Sequence, residues 1–377
     1  IYRQPRVAIL NDHLQTFGGG ERSTLQFARA FEELGFAVDI VAAHKTGASL
    51  EDLSGVFNIK PLVNWRLREF SSNDELDFAL RNEGYEIFLN HSFGSMIPSP
   101  VPLGFYMVMF PHWIAPTEWP AISSYRRMIA NSAFTAVHVR ERWNRELSAV
   151  VMIPPPHPVS ARTTFEGKEP LILNVGRFNV RGHNKHQLEA IKSFCALQAE
   201  GTVAAAWKLM VVGNVNDSAD NRAYLEQCRN EASRGNVEIV ENAPFEQLEG
   251  LYQRASVLWQ FTGCDLDWGK TPEQCEHLGL VALDCFAYGV IPIIYQRSGM
   301  SYLLRHGIDG YVFADDSELK QIMSEVVRTF KSEPHRAMFE QCRTMTKHHD
   351  TAVFRDHLER VIVSASSEVR DGSSLGW

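Results

Sequence analysis

The sequence predicts an α/β protein with two doubly wound parallel sheets. Strand-like β-branched segments alternate with segments of helical periodicity, the alternation stops at a group of prolines and then resumes, and 377 residues suffice for two domains. Proline lacks an amide donor and fixes φ, so the group at Pro154, Pro155, Pro156 and Pro158 is expected to separate the domains. We therefore place one domain at residues 1–158 and the other at 159–349.

The first half opens with the pattern of a βαβ unit. A strand is followed by the loop Gly18–Gly20, a helical segment that ends near Gly35, and a second strand. The strands expected in this half are Arg6–Leu10, Ala37–Ala42, Ile87–Asn90, Phe105–Phe110, Arg127–Ala130 and Val150–Ile153.

The second half repeats the alternation. The strands expected there are Leu171–Val175, Lys208–Val212, Val237–Val240, Val257–Gln260 and Ile291–Tyr295. The helices expected there are His186–Ala199, Tyr224–Ala232, Phe245–Arg254, Leu280–Tyr288 and Glu318–Phe330. Doubly wound sheets bind ligands beyond the carboxyl ends of their strands, so we expect a site in a central cleft that the two domains face.

Composition excludes several classes of protein. The formal net charge of −8 disfavours nucleic acid as a partner, because binding its backbone requires a basic surface. No apolar run approaches the length of a spanning helix. The six cysteines have neither metal-ligand spacing nor the density of a disulfide scaffold, so we expect no metal site and a cytoplasmic location.

The most informative segment is EHLGLVALD, residues 276–284. Gly279 precedes a predicted helix, whose first amides, at Gly279, Leu280 and Val281, offer donors to a phosphate group. Glu276 and Asp284 are suited to accept hydrogen bonds from ligand hydroxyls on either side. The alternative is an acidic first turn that only favours the helix dipole, and the spacing leaves both interpretations open.

Two further segments carry candidate ligand groups. Arg177 and Lys185 follow a predicted strand and precede a helix, where two cations could neutralise a diphosphate. An ordinary basic surface loop is the alternative. In the loop Gly18–Gly20, the absence of Cβ atoms allows a ligand to approach the backbone, although a simple tight turn would have the same sequence.

These segments resemble family 4 of the glycosyltransferases, which are retaining, use nucleotide sugars and have the GT-B fold. The family carries two glutamates separated by seven residues, and this chain has Glu276 and Asp284 at that spacing. Its Gly-Gly-Ala-Glu-Arg element corresponds to GGGER at residues 18–22. Shorter similarities extend the resemblance from about residue 7 to residue 313.

The resemblance implies a role for each candidate. Glu276 would face the donor sugar and Asp284 the ribose, although Asp284 is one methylene shorter than the family's glutamate. Arg177 and Lys185 would bind the diphosphate, in a loop longer than the family's. Gly19 and Gly20 would line the diphosphate and the acceptor. A helix at about 350–365 would return to the first domain, which would be the acceptor side.

His112 follows a predicted strand in the first domain. The resemblance places it near the transferred sugar, and a structural histidine is the alternative. Relatives have two glycines and a glutamate where this chain has Ser298, Gly299 and Tyr302, which leaves recognition of the donor sugar open.

Arginines are concentrated between Arg126 and Arg145. Peripheral contact with the inner face of a membrane is one interpretation, and a solvated helix face is the other.

The function implied is transfer of a sugar, with retention, from a nucleoside-diphosphate sugar to a hydroxyl of a growing glycan or lipid-linked saccharide, without a metal or other cofactor. A sugar-nucleotide epimerase of the same fold, or a non-catalytic sugar-nucleotide or glycan binder, are the alternatives. The base, the sugar, the acceptor and the oligomeric state are left open.

Overall fold

The computed structural model describes residues 3–143, 149–157, 163–267 and 269–370. Two compact units divide the chain. Unit 1 extends to Pro155 and resumes at His349, and unit 2 extends from Pro156 to His348. The division at the prolines is three residues before the boundary expected from the sequence.

Unit 1 is organised on a parallel sheet of seven strands in the order β3-β2-β1-β4-β5-β6-β7. The strands are β1 Arg6–Leu10, β2 Ala37–Ala42, β3 Trp65–Glu69, β4 Ile87–Asn90, β5 Leu103–Val108, β6 Arg127–Ala130 and β7 Val150–Val151. The helices are α1 Gly19–Glu33, α2 Leu50–Phe57, α3 Asn73–Asn82, α4 Trp119–Ser123, α5 Ala133–Trp143 and, after unit 2 in sequence, α12 Thr351–Arg370.

Helix α12 completes the core of unit 1. The ring of Phe354 in this helix packs edge-on against the ring of Phe27 in α1, with the ring centroids 4.9 Å apart. Leu358 and Val361 are also buried in the cluster that includes the first strand. Helix α12 therefore covers the first βαβ unit.

Unit 2 is organised on a second parallel sheet, of six strands in the order β10-β9-β8-β11-β12-β13. The strands are β8 Glu169–Val175, β9 Lys208–Gly213, β10 Val237–Glu241, β11 Ala255–Gln260, β12 Ile291–Tyr295 and β13 Tyr311–Phe313. The helices are α6 Gln187–Ala199, α7 Ala219–Ala232, α8 Phe245–Arg254, α9 Leu280–Ala287, α10 Asp316–Thr329 and α11 Glu333–Thr346. Short 3-10 turns lie at Pro272–Gln274 and Gly299–Tyr302 in unit 2, and at Leu14–Thr16 in unit 1.

The predicted fold class is confirmed, since each sheet is parallel and helices connect most successive strands. One predicted strand was displaced: β5 begins at Leu103 and ends at Val108. Phe110 lies beyond it, in the loop that carries His112. Strands β3 and β13 were not predicted: β3 carries charged residues at three of its five positions, and β13 has only three residues.

Candidate active site

The candidate residues of unit 2 lie at the carboxyl edge of its sheet. Arg177 and Lys185 belong to the loop between β8 and α6, and Glu276 lies in the connection from β11 to α9. Since β8 and β11 are neighbours in the sheet, their following loops emerge side by side. The topology thus explains how residues about 90 positions apart in sequence come into contact.

Lys185 and Glu276 form an ion pair. The Lys185 Nζ lies 2.5 Å from Glu276 Oε2, and the two side chains are 19% and 14% exposed. The Gln260 Nε2, at the end of β11, donates to the same carboxylate oxygen at 3.0 Å. The pair is therefore only partly shielded from water, and the hydrogen bond from Gln260 helps to fix the Glu276 carboxylate.

The charge of Glu276 depends on these neighbours. Burial alone would raise the pKa of its carboxyl group, but the charge and hydrogen bond of Lys185 outweigh burial, with help from the Gly279 amide. The net result is a pKa below the ordinary value of 4.5. Glu276 is thus an ionised acceptor at neutral pH.

Glycines permit the close packing of this site. A Cβ on Gly176 would lie 2.5 Å from Lys185 Cγ, so the lysine stem crosses the backbone where only glycine fits. Gly279 has a φ of +83°, and a Cβ there would lie 2.5 Å from Met300 Cγ. Glycine at position 176 allows the Lys185 stem to approach the backbone, and glycine at position 279 allows both the positive φ and the close contact with Met300.

The start of α9 offers amide donors. Gly279 is its N-cap, and no side chain caps the helix among the residues that the structure describes. The first amides of a helix have no intrahelical acceptor. Beside this end, the Gly299 amide donates to the Glu276 carbonyl at 2.6 Å, which fixes the 3-10 turn Gly299–Tyr302 against the loop. Leu280 and Val281, the other predicted phosphate ligands, are the first two residues of α9.

Asp284 has a partner that the sequence did not indicate. Its side chain is 3% exposed, and Oδ1 accepts a hydrogen bond of 2.8 Å from the His157 amide. The Asp284 side chain therefore holds the proline-rich segment, in which His157 follows Pro156. Its predicted contact with the ribose stays a prediction.

Arg177 lies at the rim of the site with an exposed side chain. Its carbonyl accepts a hydrogen bond from Gln187 Nε2 at 3.0 Å, which ties the loop to α6. Burial lowers the pKa of nearby His183, and the charges of Lys185 and Arg177 lower it further. His183 is therefore a neutral ring within a basic loop.

Sequence analysis missed Gln260 and His183 as members of this site. Gln260 ends a buried strand, and its Oε1 is buried without a hydrogen-bond partner among the described residues. The His183 ring packs edge-on against that of His277, with centroids 4.5 Å apart. A polar residue at the end of an apolar strand is the available signal for Gln260, whereas His183 has no local pattern that marks it within its loop.

In unit 1, the predicted glycine loop begins α1. The Gly18 amide donates to the Glu21 carboxylate at 2.6 Å, and Thr16 Oγ1 donates to the same oxygen at 2.6 Å. Gly19 and Gly20 are the first two residues of the helix. This capping explains the Glu that follows the glycines and gives it a structural role.

His112 is half-buried in the loop after β5. Burial lowers the pKa of its ring, and Nε2 is buried with no hydrogen-bond partner in the described part of the chain. Its carbonyl accepts a hydrogen bond of 2.8 Å from the Trp143 indole. His112 is thus held by its backbone, and no described residue bonds to its Nε2. The catalytic role is still a prediction.

A second histidine, His91, follows β4 and was not predicted as a site residue. It is 1% exposed, and burial lowers its pKa to about 4. Its two ring nitrogens lie within 3.0 Å of Ser23 Oγ and 3.1 Å of Thr24 Oγ1. These contacts hold α1 against the strand, so His91 is a neutral structural residue.

The arginine-rich region is partly committed to internal contacts. Arg126 and Arg127 both pair with Glu368 of α12. Arg142 donates to the Pro111 carbonyl at 3.1 Å, and Arg145 lies outside the described residues. In the described part of the chain, no helix is both long and apolar enough to cross a bilayer. Membrane contact through this region stays a prediction.

Two family models match the chain. The model described as "Glycosyltransferase Family 4" matches residues 17–160, and the one described as "Glycosyl transferases group 1" matches residues 159–343. An α-1,2-mannosyltransferase of Yarrowia lipolytica, named for GDP-mannose and a dolichol-linked acceptor, is 24% identical over 222 residues. That alignment covers 54% of this chain and 33% of the relative, so the chain spans about a third of its length.

Solved structures match the fold over nearly the full length of this chain. A glycosyltransferase from Rickettsia africae matches with a TM-score of 0.73 at 14% identity, covering 96% of this chain and 98% of its own. HepE from Anabaena, in complex with UDP and glucose, matches with a TM-score of 0.70 at 12% identity, covering 96% and 100%. At these identities the likeness concerns the fold alone.

The two parallel sheets and these structural matches define a protein of the GT-B class. With the two family models spanning residues 17–343, the chain belongs to family 4 of the glycosyltransferases. The resemblance seen in the sequence is thereby confirmed.

Proposed function

We propose that this chain transfers a sugar from a nucleoside-diphosphate sugar to a hydroxyl acceptor and retains the configuration of the anomeric carbon. The observation that carries the proposal is the contact between Lys185 and Glu276 beside the start of α9, which no described side chain caps. It combines a cation and amide donors for a diphosphate with a carboxylate for sugar hydroxyls.

The donor would bind by replacing internal contacts with ligand contacts. Its diphosphate would accept hydrogen bonds from the Lys185 ammonium and from the amides of Leu280 and Val281. Glu276 would accept hydrogen bonds from sugar hydroxyls. The buried Gln260 Oε1, which has no partner among the described residues, would be a further acceptor for one of them.

Catalysis would rest on the charge that develops on the leaving diphosphate. Lys185 and Arg177 stabilise that charge, so in this proposal the chain's own cations serve the transfer step without a metal. The bond from the anomeric carbon to the phosphate oxygen breaks while the acceptor oxygen bonds to the same face of that carbon. The acceptor proton passes to the departing diphosphate oxygen, which accounts for retention without a covalent enzyme intermediate.

The acceptor class is a growing glycan or a lipid-linked saccharide. The name of the Yarrowia relative includes a dolichol-linked glycan, and another structural match, at 13% identity and a TM-score of 0.65, is WaaG, whose title places it in lipopolysaccharide biosynthesis. These names support a saccharide acceptor for this chain. A location at the cytoplasmic face of a membrane would follow if the acceptor is lipid-linked.

The direct test is a panel of UDP, GDP, dTDP and ADP sugars with and without saccharide acceptors. Products are identified by NMR, which also reports the anomeric configuration. We expect Lys185→Met and Glu276→Gln to lower turnover by about 10²–10³-fold, the range seen when a group that stabilises transition-state charge is removed. Lys192→Met and Glu246→Gln, both at exposed positions of unit 2, are the matched controls.

Unchanged turnover in both site variants would refute the assignment. A sugar nucleotide epimerised without an acceptor would identify an epimerase instead. Donor binding by calorimetry without any product would identify a non-catalytic binder.

A further inference from the structure

Beside the donor site, unit 2 brings together three side chains that the sequence separates. These are His186, Cys264 and Asp265, and their ligand atoms all lie within 4.8 Å of one another. His186 is the N-cap of α6, and the other two belong to the loop after β11. The adjacent strands β8 and β11 thus carry both parts of the cluster to one edge.

We propose that His186, Cys264 and Asp265 form a zinc-binding site. One imidazole nitrogen, one thiolate sulfur and one carboxylate oxygen form a donor set suited to Zn²⁺. Three protein ligands leave a fourth position of the tetrahedron for water or another ligand. The cysteine spacing in the sequence predicts no such site, because two of the ligands are consecutive and the third is 78 residues earlier.

The environment of His186 provides an independent observation. Its ring is 4% exposed, with Nε2 lying 3.2 Å from Asp265 Oδ1 and Nδ1 lying 3.5 Å from Glu189 Oε2. A carboxylate on the second ring nitrogen is the usual partner of a metal-bound histidine, because it fixes the tautomer that presents the other nitrogen to the ion. Glu189 would accept the Nδ1 proton while Nε2 binds zinc.

The backbone also favours a fixed position for His186. Its φ is +52°, an uncommon conformation for a residue other than glycine, and its amide donates to Asn184 Oδ1 at 2.8 Å. Strained backbone of this kind persists where surrounding contacts determine it. The backbone therefore holds the His186 ring in a fixed position at the start of α6.

Binding would release the Cys264 thiol proton to solvent, since the thiolate is the ligand. The ion would join the loop 183–186 to the loop 264–267. Lys185 precedes His186, so the ion would also restrict the segment that supplies the cation of the donor site. The proposal does not depend on the transferase activity, because metal binding is measured without donor or acceptor.

The test uses the full chain after treatment with a chelator. We expect added Zn²⁺ to raise the melting temperature of the wild type by mass action, and added Co²⁺ to give a thiolate-to-metal charge-transfer band in the near ultraviolet. Cys264→Ser should abolish the band and the shift in melting temperature. Asp265→Asn should weaken both.

Matched controls separate ligation from general effects. Cys195→Ser removes another thiol of unit 2, and Asp267→Asn removes a carboxylate two residues from Asp265; both should respond to metal like the wild type. Asp265 has a side chain 61% exposed, so its variant reports on the site even if Cys264→Ser fails to fold. The proposal is overturned if the wild type shows neither response, if the cobalt band persists in Cys264→Ser, or if Asp265→Asn responds like Asp267→Asn.

Discussion

Glu276 and Lys185 each set the chemical state of the other. The carboxylate is 14% exposed, and it stays ionised because a cation lies 2.5 Å away. Removing one member of such a pair leaves the other largely desolvated and without its counter-charge, which is more costly than the net stabilisation that the pair provides. The site is thus electrostatically balanced before a ligand arrives.

This balance predicts a pH dependence of stability. The folded-state pKa of Glu276 lies below 4.5, so its ionised form stabilises the fold above about pH 4.5, and the contribution is lost as the pH falls through the folded-state pKa. We expect the difference in free energy of unfolding between the wild type and Glu276→Gln to be largest near neutral pH and to shrink on acidification. Urea unfolding from pH 7 to pH 3.5 measures it, with Glu246→Gln as the control. A difference that grows as the pH falls would show that burial dominates and raises the pKa.

Asp284 permits a test that separates folding from ligand binding. Asp284→Ala leaves the His157 amide without its acceptor and should lower the free energy of unfolding by about 1–3 kcal/mol, whereas Asp284→Asn keeps an oxygen at that position. Chemical denaturation compares the two. Equal stability of the alanine variant and the wild type would contradict the structural role. A weaker nucleotide affinity in a stable Asp284→Asn would support the ribose contact.

The sequence predicted Lys185, Glu276 and the start of α9 as site residues because each carries a local pattern, and the structure brings Lys185 and Glu276 into contact. It did not indicate that the Asp284 side chain accepts a hydrogen bond from the His157 amide. The two residues are 127 positions apart, and a backbone amide has no sequence signature. Gln260 was missed for a related reason. Its importance comes from a hydrogen bond to Glu276 that only the sheet order brings about.

At the scale of elements, glycines allow loops to pack closely against one another. A Cβ on Gly299 would lie 1.8 Å from the His277 carbonyl oxygen, which is backbone and cannot rotate away. The turn Gly299–Tyr302 is therefore fixed against the loop that carries Glu276.

We expect Gly299→Ala to lower the free energy of unfolding by about 1–3 kcal/mol, as overpacking does, and to weaken donor binding. Gly250→Ala is the matched control, because a Cβ there meets nothing within 4 Å and the position is inside α8. It should raise stability by about 0.5–1 kcal/mol. Thermal and urea unfolding of both variants would settle the comparison, and a Gly299→Ala variant as stable as the wild type would show that the loop can move apart.

Strand β3 shows why some elements escaped sequence analysis. Its segment Trp65–Glu69 has arginine at two positions, which is unusual for a strand beside a buried one. In the structure Arg66 and Arg68 lie beside Asp39 of β2 and Glu83, and Asp39 is 1% exposed. The charges are compensated across strands, and hydrophobic patterning within one segment cannot reveal such pairing.

At the scale of the whole molecule, α12 completes a core that begins with β1 and α1. Phe354 of α12 is 4% exposed and packs on Phe27 of α1. Phe354→Ala should destabilise unit 1 by about 3–5 kcal/mol through the cavity that it leaves. Val353→Ala, at a side chain 40% exposed, should have little effect. Hydrogen exchange resolved by segment should show the loss in unit 1, and a loss confined to unit 2 would contradict this packing.

The fold class followed from the sequence because alternating strands and helices allow few topologies. Family membership then gave the class of enzyme. The donor and acceptor did not follow, because the residues that select a base or a sugar have no fixed pattern, and the loop Ser298–Tyr302 differs from the family's usual residues.

Isothermal titration of UDP, GDP, dTDP and ADP into the wild type, Lys185→Met and Lys192→Met tests the central claim, that Lys185 beside Glu276 and the start of α9 binds a diphosphate. We predict that at least one of the four nucleotides binds the wild type and Lys192→Met equally, and binds Lys185→Met more weakly by about tenfold or more, as expected for loss of one charge-assisted hydrogen bond. Equal affinity in all three proteins, or no binding of any of the four nucleotides to the folded wild type, would contradict the claim.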